Sequence, residues 1–218
     1  MKIRFRLRRP TNSELIVLQP RMRMSIRPSR ILHFDVEARP LSWIASDYVS
    51  KEITAIAWAW ADAPEHISCY QLGLDNPAEF LERFLREYTK ADLGSGHYAR
   101  GYDCPVINGM LMELRMPPLP DKAISDTKLD LMRSSGISLS QESLGAMYRL
   151  EHQKVVMNQA RWRAANRLEP EGLAAVHERV VGDVKQHIQL RAELNRLGYL
   201  TPPKVWRSGA MKSENYEP

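Results

Sequence analysis

The chain has little to staple it together. Its two cysteines, Cys69 and Cys104, lie far apart in 218 residues, with no CxxC spacing and no histidine at zinc-ligand spacing. Neither a disulfide framework nor a structural zinc is supported, and a reducing cytoplasm is the expected compartment. No window approaches the roughly 18 consecutive apolar residues of a membrane span. The basic opening MKIRFRLRRP is followed by no apolar stretch of secretory length, so a cytoplasmic protein with no membrane partner is expected. There is no internal repeat and no low-complexity run. Acid is scarce at one end: residues 1–30 hold nine Lys or Arg against Glu14 alone, a surplus of eight, although the whole chain carries only +5.

Hydrophobic residues make up 44% of the chain and charged ones 26%, enough for one good core and a single domain. A basic leader on a near-neutral body suits a phosphate-backbone partner, because Lys and Arg release condensed counterions there. A solvated tail, or a start at Met22 or Met24, is the plainer alternative. Residues 1–29 are read as a basic extension, either a hairpin of KIRFRLR with RMRMSIR or a disordered arm. The domain is expected over residues 30–200, with a C-terminal tail at 201–218.

Within the domain, RILHFDVEA (residues 30–38) is a short apolar run ending in two carboxylates and reads as a buried central strand. After a loop containing Pro40, Trp43 and Tyr48, ITAIAWAWA (53–61) and HISCYQLG (66–73) read as further strands, with Pro64 in the connection and an antiparallel meander as the arrangement. Asn76 can cap a helix from Pro77 to about Tyr88, since Phe80, Leu81, Phe84, Leu85 and Tyr88 recur at i, i+3, i+4. A fourth strand is expected near 92–97, a helix from Asp103 and a fifth strand at 122–126. Helical segments follow near 129–133, 141–149 and 158–166, then a long helix from Pro170 to about Leu197 stopped by Gly198. The order βββαβαβ followed by helices predicts an α/β fold, a mixed five-stranded sheet flanked by helices.

Asp35 and Glu37, two residues apart on a strand, point to one face. Paired carboxylates in an apolar setting resist ionising unless a cation neutralises them, and oxygen-only sites suit Mg²⁺ or Mn²⁺. Asp103 lies at another strand end, where ligands of α/β sheets gather, although an N-cap is its plainer role. Before it, GHYARGYD supplies His97, Arg100 and Tyr102 for phosphate contact and base stacking. Asp183 borders the apolar stripe Leu173, Val176, Val180, Val184 and Ile188, with Gly182 beside it to allow close approach; a pairing with Arg179 or His187 is the alternative. Asp126 and Asp130 read as a turn and a helix start.

In order and context these acids resemble the DEDD (DnaQ-like) 3′–5′ exonuclease superfamily of ribonuclease-H-like fold. Its D-x-E strand motif stands as FDVEA (34–38), its G-H-N-x-x-x-F-D pattern as GHYARGYD (96–103) with Tyr98 and Tyr102 in place of Asn and Phe, and its last Asp as VVGDV (180–184). SDTKLDLM (125–132) and SQESLGAMYRL (140–150) are similar to intervening segments. The resemblance spans residues 30–197. It implies a ribonuclease-H-like sheet, two Mg²⁺ or Mn²⁺ ions held by Asp35, Glu37, Asp103 and Asp183, and hydrolysis from the 3′ end of single-stranded DNA or RNA, DNA being the first expectation. It also implies nucleic-acid contacts from His97, Arg100, Tyr102 and Arg179. A replication or repair protein is a further candidate partner. The family's water-orienting Tyr or His, four or five residues before the last Asp, is replaced here by Arg179 and Glu178. The general base is therefore open between Glu178 and His177, the latter about 240° round the helix from Asp183. The competing readings are a nucleic-acid-binding module that keeps the fold without catalysis and a ribonuclease-H-like endonuclease.

Overall fold

The computed structural model describes residues 29–45 and 48–209, with side chains throughout except at 41–50. The two basic alternations expected to form a hairpin in the leader lie outside the described residues, as does the end of the tail.

A six-stranded mixed sheet runs in the order β3-β2-β1-β4-β5-β6. Its strands are β1 (Ile31–Ala45), β2 (Tyr48–Trp60), β3 (Ala63–Gln71), β4 (Leu93–Gly96), β5 (Lys122–Asp126) and β6 (Lys204–Trp206). The first three form an antiparallel meander, β4 and β5 run parallel to β1, and β6 closes the far edge antiparallel to β5. The order of the first five strands fits the expected ribonuclease-H-like arrangement. The sixth strand was not expected: it comes from the segment read as tail, where KVW after two prolines is too short to show a period.

Two strands are longer than the sequence suggests. β1 continues through Pro40 to Ala45 and β2 begins at Tyr48, where a loop was expected. Beyond His33, β1 has no partner on its β4 side among the described residues, and a residue lacking an N–H is tolerated on an unpaired edge. The register also shifts between Glu37 and Ala38, a bulge of the kind found near strand ends and sites. Likewise Pro64 lies inside β3, the edge strand of the sheet, and not in the connection before it.

The helices are α1 (Pro77–Lys90), α2 (Asp103–Glu113), α3 (Thr127–Ser135), α4 (Gln141–Met147), α5 (Gln159–Asn166) and α6 (Pro170–Arg196). Asn76 caps α1 as expected, its Oδ1 accepting from the Ala78 and Glu79 N–H groups, worth about 1 kcal/mol. Alternation along β1 and β2 divides the sheet into two unlike faces. Leu32, Phe34, Val36, Ile56 and Trp58 join Phe80, Phe84 and Tyr88 of α1 and Ile107 and Leu111 of α2 in an aromatic-rich core. On the other face, Ala55, Ala57 and Ala59 admit α6 closely, against Val176, Val180 and Val184. Asp35 pairs in register with Ala57, so it faces α6 across a layer of small residues. Gly172 brings α6 against α5: a Cβ there would stand 2.1 Å from the Ala165 nitrogen. Gly182 serves no such approach, since none of the described residues lies within 4 Å of where its Cβ would be.

No helix among the described residues is long and apolar enough to cross a membrane.

Candidate metal centre

Three carboxylates from distant parts of the chain converge where β1 passes under α6. Asp35 and Glu37 arrive on β1, and Asp183 arrives from α6, whose Val180 and Val184 clamp the helix to the alanine face. Oxygens of the three lie within 4.8 Å of one another. Asp183 is buried, while Asp35 and Glu37 are half-buried and leave the group open on one side.

Asp103 stands next to this trio without joining it. It opens α2 but does not cap it; its Oδ1 accepts from the Val36 N–H at 3.1 Å, between the two β1 acids. Burial pushes its carboxyl up to about 7, in spite of that N–H, and Asp126 and Glu37 push the same way. Burial also holds the Asp35 carboxyl well above the ordinary carboxylate range, with Asp103, Asp183 and Glu37 adding like-charge repulsion. Among the described residues no hydrogen-bond donor or ion-pair partner reaches the Asp35 carboxylate. Asp183 Oδ1 is likewise buried without a hydrogen-bond partner.

Two cations reach the remaining oxygens. Lys154 Nζ lies 3.0 Å from Asp183 Oδ2. Arg179, one helical turn before Asp183, donates from Nε to Glu37 and stands 4.0 Å from Asp183 Oδ2. Arg179 is held in place by donating to the Val155 carbonyl at 2.9 Å and by lying over the Trp162 ring, 5.2 Å from its centroid. The segment carrying Lys154 is tied to α6 by Gln186 Nε2 donating to the His152 carbonyl and by the His152 N–H donating to Gln189 Oε1.

The residues expected to touch nucleic acid divide. Arg179 faces the carboxylates. Tyr102 is half-buried beside them, its hydroxyl pKa raised by burial and then by Glu37, Asp103 and Asp35, with Lys51 Nζ 4.2 Å from its ring centroid. Arg100 and His97 have partners within the fold. The Arg100 guanidinium pairs with buried Asp130. His97 Nδ1 shares a hydrogen bond with Thr127 Oγ1 and Nε2 with the Leu139 carbonyl, and burial lowers its pKa to about 4. The candidate general bases, His177 and Glu178, are exposed on α6, and Glu178 lines a shallow hollow against α5.

Asp126 and Asp130 have structural partners, in keeping with a turn and a helix start. Asp126 caps α3 and accepts from the N–H groups of Lys128, Leu129, Tyr98 and Arg100. The last two fix the loop before Asp103, where Tyr98 takes a left-handed φ of 76°, unusual for a residue with a bulky side chain.

Sequence reasoning missed Lys154, which sits in an aperiodic stretch. It also missed a buried polar layer beneath the site. There Ser95 Oγ shares a 2.9 Å hydrogen bond with His187 Nε2, and the His33 ring meets His187 edge-on at 5.4 Å. The pairing of Asp183 with His187 weighed as an alternative is therefore not made, whereas the one with Arg179 is present at 4.0 Å.

An all-oxygen donor set with an unpartnered buried oxygen suits a hard divalent cation, and the acidic trio is one that could bind a metal ion. No family model and no curated protein matches the chain by sequence. Among solved structures it is similar to the family B DNA polymerase from the hyperthermophilic archaeon Pyrobaculum calidifontis. The TM-score is 0.58 and the identity 16%, over 79% of this chain and 25% of that one. At that identity the likeness is one of fold, and the chain spans a quarter of the polymerase's length.

Proposed function

We propose that this chain is a metal-dependent 3′–5′ exonuclease of the DEDD type that hydrolyses single-stranded nucleic acid, DNA first. The observation that carries the reading is the trio Asp35, Glu37 and Asp183, with oxygens within 4.8 Å and, among the described residues, no donor for Asp35. Carboxylates so placed repel one another, and a doubly charged cation removes that cost. The likeness to a family B DNA polymerase supports nucleic acid as the partner.

Asp35, Glu37 and Asp183 would hold Mg²⁺ or Mn²⁺, with Asp103 adjoining. When bound, such ions supply Lewis acidity toward a phosphodiester and lower the pKa of a water. The chain's own residues do the rest. Asp103 keeps the β1 acids in register through the Val36 N–H. Arg179 and Lys154 present cationic donors at the mouth of the site, suited to the non-bridging oxygens of a phosphate once the carboxylates are engaged. Tyr102 offers a half-exposed ring on which a terminal base can stack. Arg179 and Glu178 stand at the positions of the family's Tyr and His.

One observation favours a second reading. Lys154 and Arg179 already neutralise Asp183 and Glu37, so a module that keeps the fold without catalysis is the alternative. The test is release of nucleotides from end-labelled single-stranded and duplex DNA and RNA with Mg²⁺, Mn²⁺ or chelator. The exonuclease reading expects stepwise, metal-dependent release from a free 3′ end. No release with either metal rejects it for the inactive module, and cleavage of circular or end-blocked strands rejects it for an endonuclease.

A further inference from the structure

The aromatic face of the sheet does not end in a covered core. Where the β2–β3 hairpin passes the last turns of α1, a groove of about 230 Å³ opens between Trp58, Trp60, His66, Tyr70, Arg83 and Arg86. Trp58 stacks on Tyr70 at 5.3 Å and 20°, making a two-ring platform of which Tyr70 is the part open to solvent. Trp60 stands beside it, half-exposed. Guanidiniums line the rim: Arg83 lies 5.5 Å from the Tyr70 centroid and Arg30 4.5 Å from that of Trp60, while Arg86 is exposed in the same groove. The one carboxylate lining the groove among the described residues, Glu87, is engaged by Trp60 Nε1 at 3.1 Å and Lys90 at 2.7 Å.

Partly exposed rings interleaved with arginines cost a protein solubility unless something uses them. The charge indicates what does. Three arginines face outward around a spent carboxylate, and the basic leader joins the described chain here: Ser29 precedes Arg30, and residues 1–30 carry a surplus of eight positive charges. An anionic strand fits both. Stacking needs unpaired bases, which a single strand offers.

We infer that this groove is a second binding site for single-stranded nucleic acid, with bases on Trp60 and Tyr70 and phosphates on Arg83, Arg86 and Arg30. It lies on the opposite face of the sheet from Asp35 and Asp183, since Trp58 and Trp60 pair with Phe34 and Leu32 while Asp35 pairs with Ala57. It holds whether or not the acidic trio hydrolyses anything.

The experiment is fluorescence anisotropy of the full chain with a labelled dT 12-mer, its RNA equivalent and a duplex, in EDTA so that no metal chemistry enters. Trp60→Ala should weaken binding about tenfold, the loss of one base stack. Arg83→Ala with Arg86→Ala should lower the slope of log K against log salt by about 0.7 per arginine. Melting curves verify that the variants fold. Independently, photocrosslinking of a 5-iodouracil strand to the unaltered protein should label peptides containing Trp60 or Tyr70. Crosslinks found only elsewhere, affinities unchanged within twofold in folded variants, or equal competition by poly-glutamate would each overturn the inference, the last in favour of an acidic protein partner.

Discussion

Two groups of acids flank β4, one on β1 and α6 and the other at the end of β5 and in α3, and they differ in how many donors they meet. Asp126 accepts from four backbone N–H groups, and Asp130 accepts from Arg100 and from the Asp126 N–H. Among the described residues Asp35 meets no donor, and Asp183 leaves Oδ1 bare. The first group holds a loop and a helix together. The second is costly to keep as it stands. Acid type and strand-end position are shared by both, so donor supply separates a structural carboxylate from a ligand.

Substitution should drive the two groups in opposite directions. The largest effect expected is on activity: Asp35→Asn lowers metal-dependent release of nucleotides from a single strand by about a thousandfold or more, as loss of a site's charge-stabilising group does. Next comes stability. Asp126→Ala removes a helix cap and the acceptor of the half-buried Tyr98 and Arg100 N–H groups, costing about 2–4 kcal/mol in denaturant unfolding.

Asp35→Asn should do the reverse in chelator and raise stability by about 1 kcal/mol, because it removes an unpartnered charge. This gain depends on pH. The Asp35 pKa is raised by burial and by Asp103, Asp183 and Glu37, and Asp103 stands near 7. An acid with a raised folded pKa binds a proton on folding. Its contribution is complete below the unfolded value of about 3.9 and is lost as pH rises through the folded one. The advantage of Asp35→Asn should therefore be small at pH 5 and largest at pH 8. The neutral histidines His33, His97 and His187 oppose this trend at acid pH, but they are common to both proteins and cancel in the difference. Smallest of all, His177→Ala and Glu178→Gln should leave the rate of release within about twofold, since exposed side chains away from such a site rarely matter.

The sequence carried much of this in its periods. An apolar strand ending in D-x-E put Asp35 and Glu37 on one face, and the stripe of α6 put Asp183 at its edge; both depend on local geometry that a period reports. Other parts depend on tertiary partners. Pro40 reads as a strand end, yet β1 continues because its β4 edge is unpaired there. Lys154 has no period to betray it, since its approach to Asp183 is set by Gln186 and Gln189 of α6 gripping His152. Arg100 and His97 look like phosphate ligands in the motif, and only the fold reveals Asp130, Thr127 and Leu139 as their partners.

Calorimetric titration with Mn²⁺ reaches the central claim most directly. The wild-type protein should give a saturable heat that disappears in Asp35→Asn and in Asp183→Asn, both still folded. No saturable heat, or the same heat in all three proteins, would contradict the assignment of these carboxylates as a metal site.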